Sequence, residues 1–200
     1  MRHFLIIFGA IIFILLANYY TNEIGEAYYE SEKKINTVFD VVHHYTPDFH
    51  EFGSLVNIIP LLLFGSLFFV KNSVTLLEET VLKILLIHVI RSLTIISTIL
   101  PKHENCNRKD SSFLTRLLGD CYDKVFSGHT SFVFLITLIL LRENYISLST
   151  LFSINAMESI IILLTRSHYT IDVLLAYFIT YLVYDGDYHI LTDFAKKIKV

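Results

Sequence analysis

Apolar residues along the chain are gathered into six long blocks separated by polar segments. Each block holds between 16 and 21 residues, close to the roughly 20 that a helix needs to cross about 30 Å of hydrocarbon. The pattern predicts an all-α integral membrane protein, with one domain covering residues 1–200. The six predicted transmembrane helices are residues 4–20, 55–70, 84–100, 125–141, 145–165 and 169–184.

The first block could instead be a cleaved signal peptide, because Arg2 and His3 give the chain a short basic start. Cleavage after Ala17 would require a small residue two positions earlier, where Leu15 stands. We therefore favour an uncleaved membrane anchor.

Composition agrees with a multi-pass membrane protein. The chain is 54% hydrophobic and only 18% charged, and its mean hydropathy is +0.56. A soluble domain of this length would carry more charge and shorter apolar runs. The net charge of −3 offers no basic surface, so nucleic acid is not an expected partner.

Two long polar connections bear on orientation. Residues 21–54 carry seven carboxylates and two lysines, and residues 101–124 hold both cysteines. Lysines and arginines divide almost evenly between the two sides, so their count does not decide which side is cytosolic. A cytosolic N-terminus places both connections outside, where the compartment is oxidising. Cys106 and Cys121 are then predicted to form a disulfide, with two unpaired thiols as the alternative.

Ionisable residues within the apolar blocks are costly and often mark function. The fourth and sixth blocks begin near His129 and His168. These two blocks cross the membrane in the same direction, so both histidines lie at the same face. Arg91 in the third block and Arg166 at the end of the fifth lie toward that face. The sequence therefore predicts that these four groups converge on one site.

Asp172 follows His168 by four residues, which on a helix places both side chains on one face. A carboxylate bound to one imidazole nitrogen leaves the other nitrogen available as a base or nucleophile. Ser127 suits a helix N-cap ahead of His129, Gly128 permits close approach, and the helix start offers N–H groups to a phosphate. The alternative, two interfacial histidines at helix ends, does not explain these features together.

A near-copy of the late motif "SHYTIDV" (167–173) occurs earlier in the chain as "HHYTPDF" (43–49). Pro47 disfavours helical geometry at Thr46, so His44 and Asp48 are not expected to share a helix face. We interpret the early copy as a coincidence or a loop-packing element.

The segments "CYDKVFSGHT" (121–130) and "HYTIDVLLAYFIT" (168–180) resemble the two signature motifs of sphingomyelin synthases and related ceramide phosphotransferases. Three shorter segments are similar to further motifs of that family: "RSLTIISTILP" (91–101), "TVFD" (37–40) and the pair Tyr188–His189. The resemblance covers about residues 35–190. It implies a six-helix bundle like that of lipid phosphate phosphatases. It also implies an active site at the lumenal or outer face of the Golgi apparatus, endoplasmic reticulum or plasma membrane.

The resemblance implies catalytic roles for His129, His168 and Asp172, and a substrate-binding role for Asp123. The implied reaction moves a phosphorylated headgroup from a phospholipid donor to a lipid alcohol, ceramide first and diacylglycerol second. It proceeds through a phosphohistidine and uses neither a metal nor another cofactor. Self-association into a homo-oligomer stays open.

The other expected substrate contacts are Ser127, Gly128, Arg91 and Arg166. A guanidinium group suits phosphate oxygens, with snorkelling or helix pairing as the alternative for both arginines. Tyr122 stands where the family motif usually has glycine. The surroundings of Arg166 resemble the ethanolamine- and inositol-transferring branches more than the choline branch, so the headgroup stays open.

Two other functions stay open. Lipid phosphate phosphatases share the His–His–Asp core, so a phosphatase or phospholipase C-type hydrolase would use the same groups with water. Their Lys-x6-Arg-Pro motif is missing from this sequence, which favours a transferase. A non-catalytic lipid-binding or scrambling protein would keep its full activity after His168→Ala.

Overall fold

A computed structural model describes residues 2–29, 38–103, 106, 113 and 121–186. This part of the chain is all-helical and contains no strand. Its α-helices are α1 (Arg2–Tyr29), α2 (Val41–Tyr45), α3 (Ile58–Ser66), α4 (Ser73–Ser97), α5 (Gly128–Arg142), α6 (Leu148–Leu164) and α7 (Thr170–Asp185). Two 3₁₀ helices, His50–Asn57 and Leu67–Phe69, flank α3.

Every predicted span coincides with helical structure, but the segments differ in length. Three are long and apolar enough to cross a membrane: Ile7–Tyr29, His50–Phe69 and Ser73–Ser97. Helices α5 and α6 are apolar but shorter. At about 1.5 Å per residue, helices of their length fall short of a bilayer's roughly 30 Å of hydrocarbon. The three long segments fit a membrane protein, and six crossings stay a prediction.

Three predicted spans differ clearly from the helices in the structure. Helix α4 begins at Ser73 instead of residue 84. Helix α1 ends at Tyr29 instead of Tyr20, and its added turns bury Asn22 and Gly25 against the rest of the protein. The second span is not one regular helix, because 3₁₀ segments precede and follow α3. Pro60 explains part of this break, since proline lacks an N–H and is tolerated only in the first turn of an α-helix.

Helix α5 lies at the centre of the bundle and packs against α3, α4, α6 and α7. Its side chains Val133, Leu135, Ile136 and Ile139 are fully buried. Burying one such side chain contributes about 1.5–3 kcal/mol, so α5 holds the surrounding helices together. His129, the second residue of α5, is consequently fixed at one end of the bundle.

The beginnings of α5 and α7 lie side by side at that end. The backbone N–H of Ser127 donates to the carbonyl of Asp172 over 3.2 Å. Helix α5 starts here because the Ser127 side chain accepts a hydrogen bond from the Thr130 N–H, as expected of an N-cap. The two helix starts therefore bring His129 and His168 to the same region.

Candidate active site

His168 and Asp172 are in contact, but they do not share a helix face. His168 precedes the N-cap residue Tyr169, and α7 begins only at Thr170. Asp172 Oδ2 reaches back and accepts hydrogen bonds from the Tyr169 N–H (3.0 Å) and from His168 Nδ1 (3.1 Å). The expected helical pair is therefore corrected to a contact in which the N3 carboxylate caps its own helix and holds the histidine.

This contact fixes the tautomer of His168. A carboxylate only accepts, so Nδ1 carries the hydrogen and Nε2 keeps its lone pair. Burial lowers the pKa of His168 below 6.5; the bond to Asp172 acts in the opposite direction, and the charge of Lys124 adds to the lowering. His168 therefore presents a neutral imidazole at neutral pH.

His129 is held by a hydrogen bond to Asn57, which lies just before α3. Its Nε2 lies 3.0 Å from Oδ1 of Asn57, and an amide carbonyl oxygen can only accept, so Nε2 is the donor. A Cβ atom on Gly128 would lie 3.6 Å from His88 Nε2, an ordinary contact distance, so packing does not require a glycine there. Gly128 and His129 both line the cavity described below.

Arg91 uses all three guanidinium nitrogens on protein partners. Nε donates to the carbonyl of Phe126 (3.2 Å) and Nη1 to Oδ1 of Asn18 (2.9 Å). Nη2 donates to both the carbonyl (3.2 Å) and Oδ2 (2.5 Å) of Asp123. Arg91 and Asp123 thus bind each other and tether the loop that leads into α5. Both also line the cavity described below, and their contact with a substrate phosphate stays a prediction.

The charge state of Asp123 agrees with this pairing. Burial alone opposes ionisation, but the positive charges of Arg91 and Lys124 outweigh it and hold the pKa of the Asp123 carboxyl below its usual value. Asp123 therefore stays ionised and keeps Arg91 in place.

Arg166 is also engaged by the protein. Its Nη1 donates to the Thr46 hydroxyl (3.0 Å), and its Nη2 donates to the carbonyls of Thr46 (2.6 Å) and His43 (3.1 Å). Both arginines expected to hold phosphate oxygens thus bind other parts of the chain. Sequence spacing could not predict this, because the partners lie far from the arginines along the chain.

Lys124 is a cation near the histidines that the sequence analysis did not select. Its side chain is buried, lines the cavity and donates to the carbonyl of Ser167, next to His168. A lysine just before an apolar block is normally interpreted as solvent-exposed. The next residue, Val125, has φ of 81°, a conformation that costs a β-branched residue about 1–3 kcal/mol and that clusters at functional sites.

A cavity of about 1050 Å³ connects these groups. Three helical segments each contribute a polar residue and, about one helical turn away, an apolar one. The pairs are Asn18 with Leu15 on α1, Asn57 with Leu61 on the 3₁₀–α3 segment, and His129 with Phe132 on α5. His168, Lys124, Arg91 and Arg166 also line the cavity, so the four groups predicted to converge do lie around one site. On these three segments the cavity lining therefore changes from polar to apolar within about 5 Å, one helical turn.

Tyr122, which departs from the family motif, is accommodated by a glycine on α1. A Cβ atom on Gly25 would lie 2.4 Å from the Tyr122 ring, so the buried ring fits only because residue 25 has no side chain. The Tyr122 N–H donates to Oδ1 of Asn22 (2.8 Å). Asn18 lies near the end of the first apolar block and Asn22 lies four residues later, so both fall on one helix face, a signal from which their role could have been inferred.

Cys106 and Cys121 are joined by a disulfide, with Cα atoms 5.8 Å apart. Cys121 immediately precedes the segment containing Asp123 and Lys124. The disulfide thus tethers that segment at its start, as Arg91 tethers it farther along.

The early copy of the motif does not form a helical pair. Helix α2 ends at Tyr45, and Thr46 is extended with ψ of 152°, as Pro47 predicts. Asp48 contacts His50 (3.2 Å) and His103 (3.6 Å).

The Tyr188–His189 match, the chain after residue 186 and residues 30–37 lie outside the described residues.

The second half of the chain matches a known protein family. A sequence model described as PAP2 superfamily C-terminal matches residues 120–190, a range that contains His129, His168 and Asp172. No curated protein matches the chain in sequence. The family match supports the lipid phosphate phosphatase-like superfamily, and with it an enzyme that acts on phosphate groups, without indicating ceramide or sphingomyelin.

Proposed function

We propose that this protein transfers a phosphorylated headgroup from a membrane phospholipid to a lipid alcohol, with His168 as the nucleophile. The observation that supports this most is the placement of the His168–Asp172 pair and His129 around one cavity, which turns from polar to apolar within a helical turn. A phospholipid has the same division, because its phosphate is polar and its acyl chains are not.

The proposed reaction has two steps that use the same groups. In the first, His168 Nε2 attacks phosphorus, the bond from phosphorus to the diacylglycerol oxygen breaks, and His129 gives that oxygen a proton. In the second, His129 takes the proton of the acceptor hydroxyl. The acceptor oxygen then attacks phosphorus and releases Nε2. Protons and bonds balance over the cycle, and histidine suits this exchange near neutral pH.

Lys124 is our further candidate for holding the phosphate, beside Arg91 and Arg166. It lines the cavity, and its charge acts on both His168 and Asp123. The start of α5 adds backbone N–H groups that favour an anion. We expect Lys124→Met to raise KM and lower kcat for a phospholipid, and Lys124→Arg to restore much of the loss. Equal kinetics for Lys124→Met and wild type would remove Lys124 from the site.

The covalent intermediate gives the direct test. Purified protein is incubated with phospholipid labelled at phosphorus, without acceptor, and quenched in alkali, which preserves phosphohistidine. We expect label on His168, none after His168→Gln, slower labelling after His129→Gln and unchanged labelling for the control His44→Gln. Product formed without any labelled protein would exclude the intermediate.

Ceramide as acceptor and a lumenal or outer active site are part of this proposal, supported by the motif resemblance. Diacylglycerol is the second candidate acceptor. Hydrolysis is the second candidate function, because the PAP2 match agrees equally with an enzyme that transfers phosphate to water. Products formed with and without a lipid alcohol separate the two.

A further inference from the structure

Residues 40–46, which we call the clasp, lie against the turn 166–170 that carries His168. Contacts run from three clasp residues to the turn. Asp40 accepts from Thr170, His43 donates to the His168 carbonyl, and Thr46 accepts from Arg166. The early copy of the late motif is thus packed onto the late motif itself.

Asp40 caps two helices at once. Its Oδ1 accepts from the backbone N–H groups of Val42 (3.1 Å) and His43 (3.0 Å) at the start of α2. The same oxygen accepts from the Thr170 hydroxyl (2.8 Å), and Oδ2 accepts from the Thr170 N–H (2.6 Å) at the start of α7. One buried carboxylate therefore fixes the clasp relative to the helix that begins directly after His168 and Tyr169.

His43 holds the nucleophile residue by its backbone. Its Nε2 lies 3.1 Å from the carbonyl oxygen of His168, which can only accept, so Nε2 is the donor. The His43 ring also packs against Tyr169, with ring centroids 5.5 Å apart. The backbone on both sides of the His168 side chain is therefore restrained, since Asp172 holds the following N–H.

Arg166 has an unfavourable backbone conformation that its hydrogen bonds to the clasp offset. Helix α6 ends in a Schellman motif, with Arg166 N–H bound to the Leu163 carbonyl and Ser167 N–H to that of Ile162. Arg166 sits at φ of 58°, where glycine or asparagine is usual. Helix α5 ends in the same way with the common choice, Asn144, at φ of 61°. An arginine at such a position is explained by its bonds to His43 and Thr46.

From these contacts we infer that the clasp positions His168 for attack, with Asp40 and His43 as positioning residues that do not touch the substrate. The inference rests on the proposed function for its kinetic consequence but not for its structural one. A displacement of about 1 Å at a reacting group can cost on the order of 10²-fold in rate.

The test compares four variants of the full-length protein in detergent: His43→Leu, His43→Gln, Asp40→Asn and His44→Leu. Glutamine keeps a donor that can reach the His168 carbonyl, and leucine does not. Asparagine cannot accept from both the α2 N–H groups and the Thr170 N–H, because its amide nitrogen cannot accept a hydrogen bond. His44, next to His43 in α2 but exposed, is the matched control. Two quantities are measured: hydrogen exchange of peptides covering 166–172, and kcat per folded protein with labelled phospholipid.

We expect His43→Leu and Asp40→Asn to speed exchange in 166–172 and to lower kcat by up to about 10²-fold with KM unchanged, because binding groups are untouched. His43→Gln should recover most of the rate, and His44→Leu should match wild type. Faster exchange with an unchanged kcat would overturn the positioning role, and unchanged exchange would overturn the clasp. Altered exchange in a protein whose wild type lacks phospholipid activity would refute the proposed function and still support an ordering role for the clasp.

Discussion

At His168, burial and the Asp172 carboxylate act on the imidazole in opposite directions. Burial lowers the pKa, the hydrogen bond from Nδ1 to Asp172 raises it, and the net effect is a lowered value. The neutral imidazole, whose Nε2 lone pair can attack phosphorus, therefore persists to more acidic pH than a solvated histidine allows.

This lowering predicts a pH profile. A histidine with a lowered pKa is protonated, and so inactivated, only when pH falls below the ordinary value of 6.5. We expect the acid limb of kcat/KM to lie below that value. Lys124→Met removes a positive charge that lowers the pKa, so residual activity of this variant should show the limb shifted toward neutral pH. An acid limb above 6.5 in wild type would contradict a lowered pKa for His168.

Substitution of the triad separates catalysis from lipid binding. We expect His168→Ala to abolish turnover, because it removes the nucleophile. We expect Asp172→Asn to remove nearly all turnover, because an amide does not stabilise a positively charged imidazole ring as a carboxylate does. His129→Ala should lose about 10²–10⁴-fold, the range of general acid–base catalysis. The measurement is product formation from labelled phospholipid, with binding to lipid vesicles as the control. Full activity of His168→Ala would favour a non-catalytic lipid-binding protein.

At the scale of helices, the sequence predicted what depends on neighbouring residues. Hydropathy located all six apolar segments, Ser127 identified the start of α5, and Pro47 identified the end of α2. The convergence of His129 and His168 followed from the parity of the predicted helices, and the structure places both residues at one cavity. The helix positions and ends depend on neighbouring residues, and the convergence of the two histidines follows from the number of predicted transmembrane helices.

Features that depend on distant partners could not be predicted in the same way. The sequence suggested that Arg91 and Arg166 were available to phosphate, but Asn18 and Thr46 accept their hydrogen bonds across 73 and 120 positions. The contact of His168 with Asp172 was expected, but for the wrong reason, because the histidine precedes α7. A spacing of four residues is compatible with two arrangements. Both side chains can lie on one helix face, or the second residue can cap the helix and contact a residue that precedes it.

The disulfide should stabilise the approach to α5. Its ends are separated by 15 positions, for which the chain-entropy model gives about 3 kcal/mol. We expect reductant to lower the unfolding temperature of wild type in detergent and to reduce its activity, since Asp123 and Lys124 follow Cys121 closely. The double variant Cys106→Ser, Cys121→Ser should have a lower unfolding temperature than wild type, and reductant should not change it. Equal unfolding temperatures would show that the disulfide does not contribute.

Glu158 on α6 is a buried carboxyl that the proposed mechanism does not use. Its side chain is fully buried, and neither carboxyl oxygen has a hydrogen-bond partner among the described residues. Leaving a buried polar group unsatisfied costs about 1–3 kcal/mol, so Glu158→Met should raise the unfolding temperature without reducing activity. The control Asn155→Leu, which loses a 2.9 Å bond to Thr137, should lower it. A less stable or inactive Glu158→Met would show that the carboxyl has a role.

Across the whole molecule, supporting contacts come from nearly every part of the described chain. Helix α1 supplies Asn18 to Arg91, the clasp supplies His43 to His168, and the 3₁₀ segment supplies Asn57 to His129. The side chains expected to react lie where α5 and α7 begin, and the cavity beside them becomes apolar toward Phe132. This arrangement places the reacting groups at the border between polar and apolar surroundings.

That border determines which acceptor should capture the intermediate. A phosphohistidine on His168 would sit where lipid alcohols are concentrated and water is limited. Proximity and orientation can contribute on the order of 7–11 kcal/mol, which can offset the bulk excess of water. We therefore expect transfer to a lipid alcohol, with diacylglycerol released from the donor. The motif resemblance, and not the cavity, favours ceramide before diacylglycerol as the acceptor.

The experiment uses purified protein in detergent with labelled phosphatidylcholine, phosphatidylethanolamine or phosphatidylinositol, each with and without ceramide or diacylglycerol. A transferase should convert label into a new lipid only when an acceptor is present, and the preferred donor identifies the headgroup. Acceptor should also accelerate the loss of labelled His168, because the second step consumes the intermediate. Label released only as free phosphorylated headgroup, at a rate indifferent to either alcohol, would establish a hydrolase in which water reaches the same histidine.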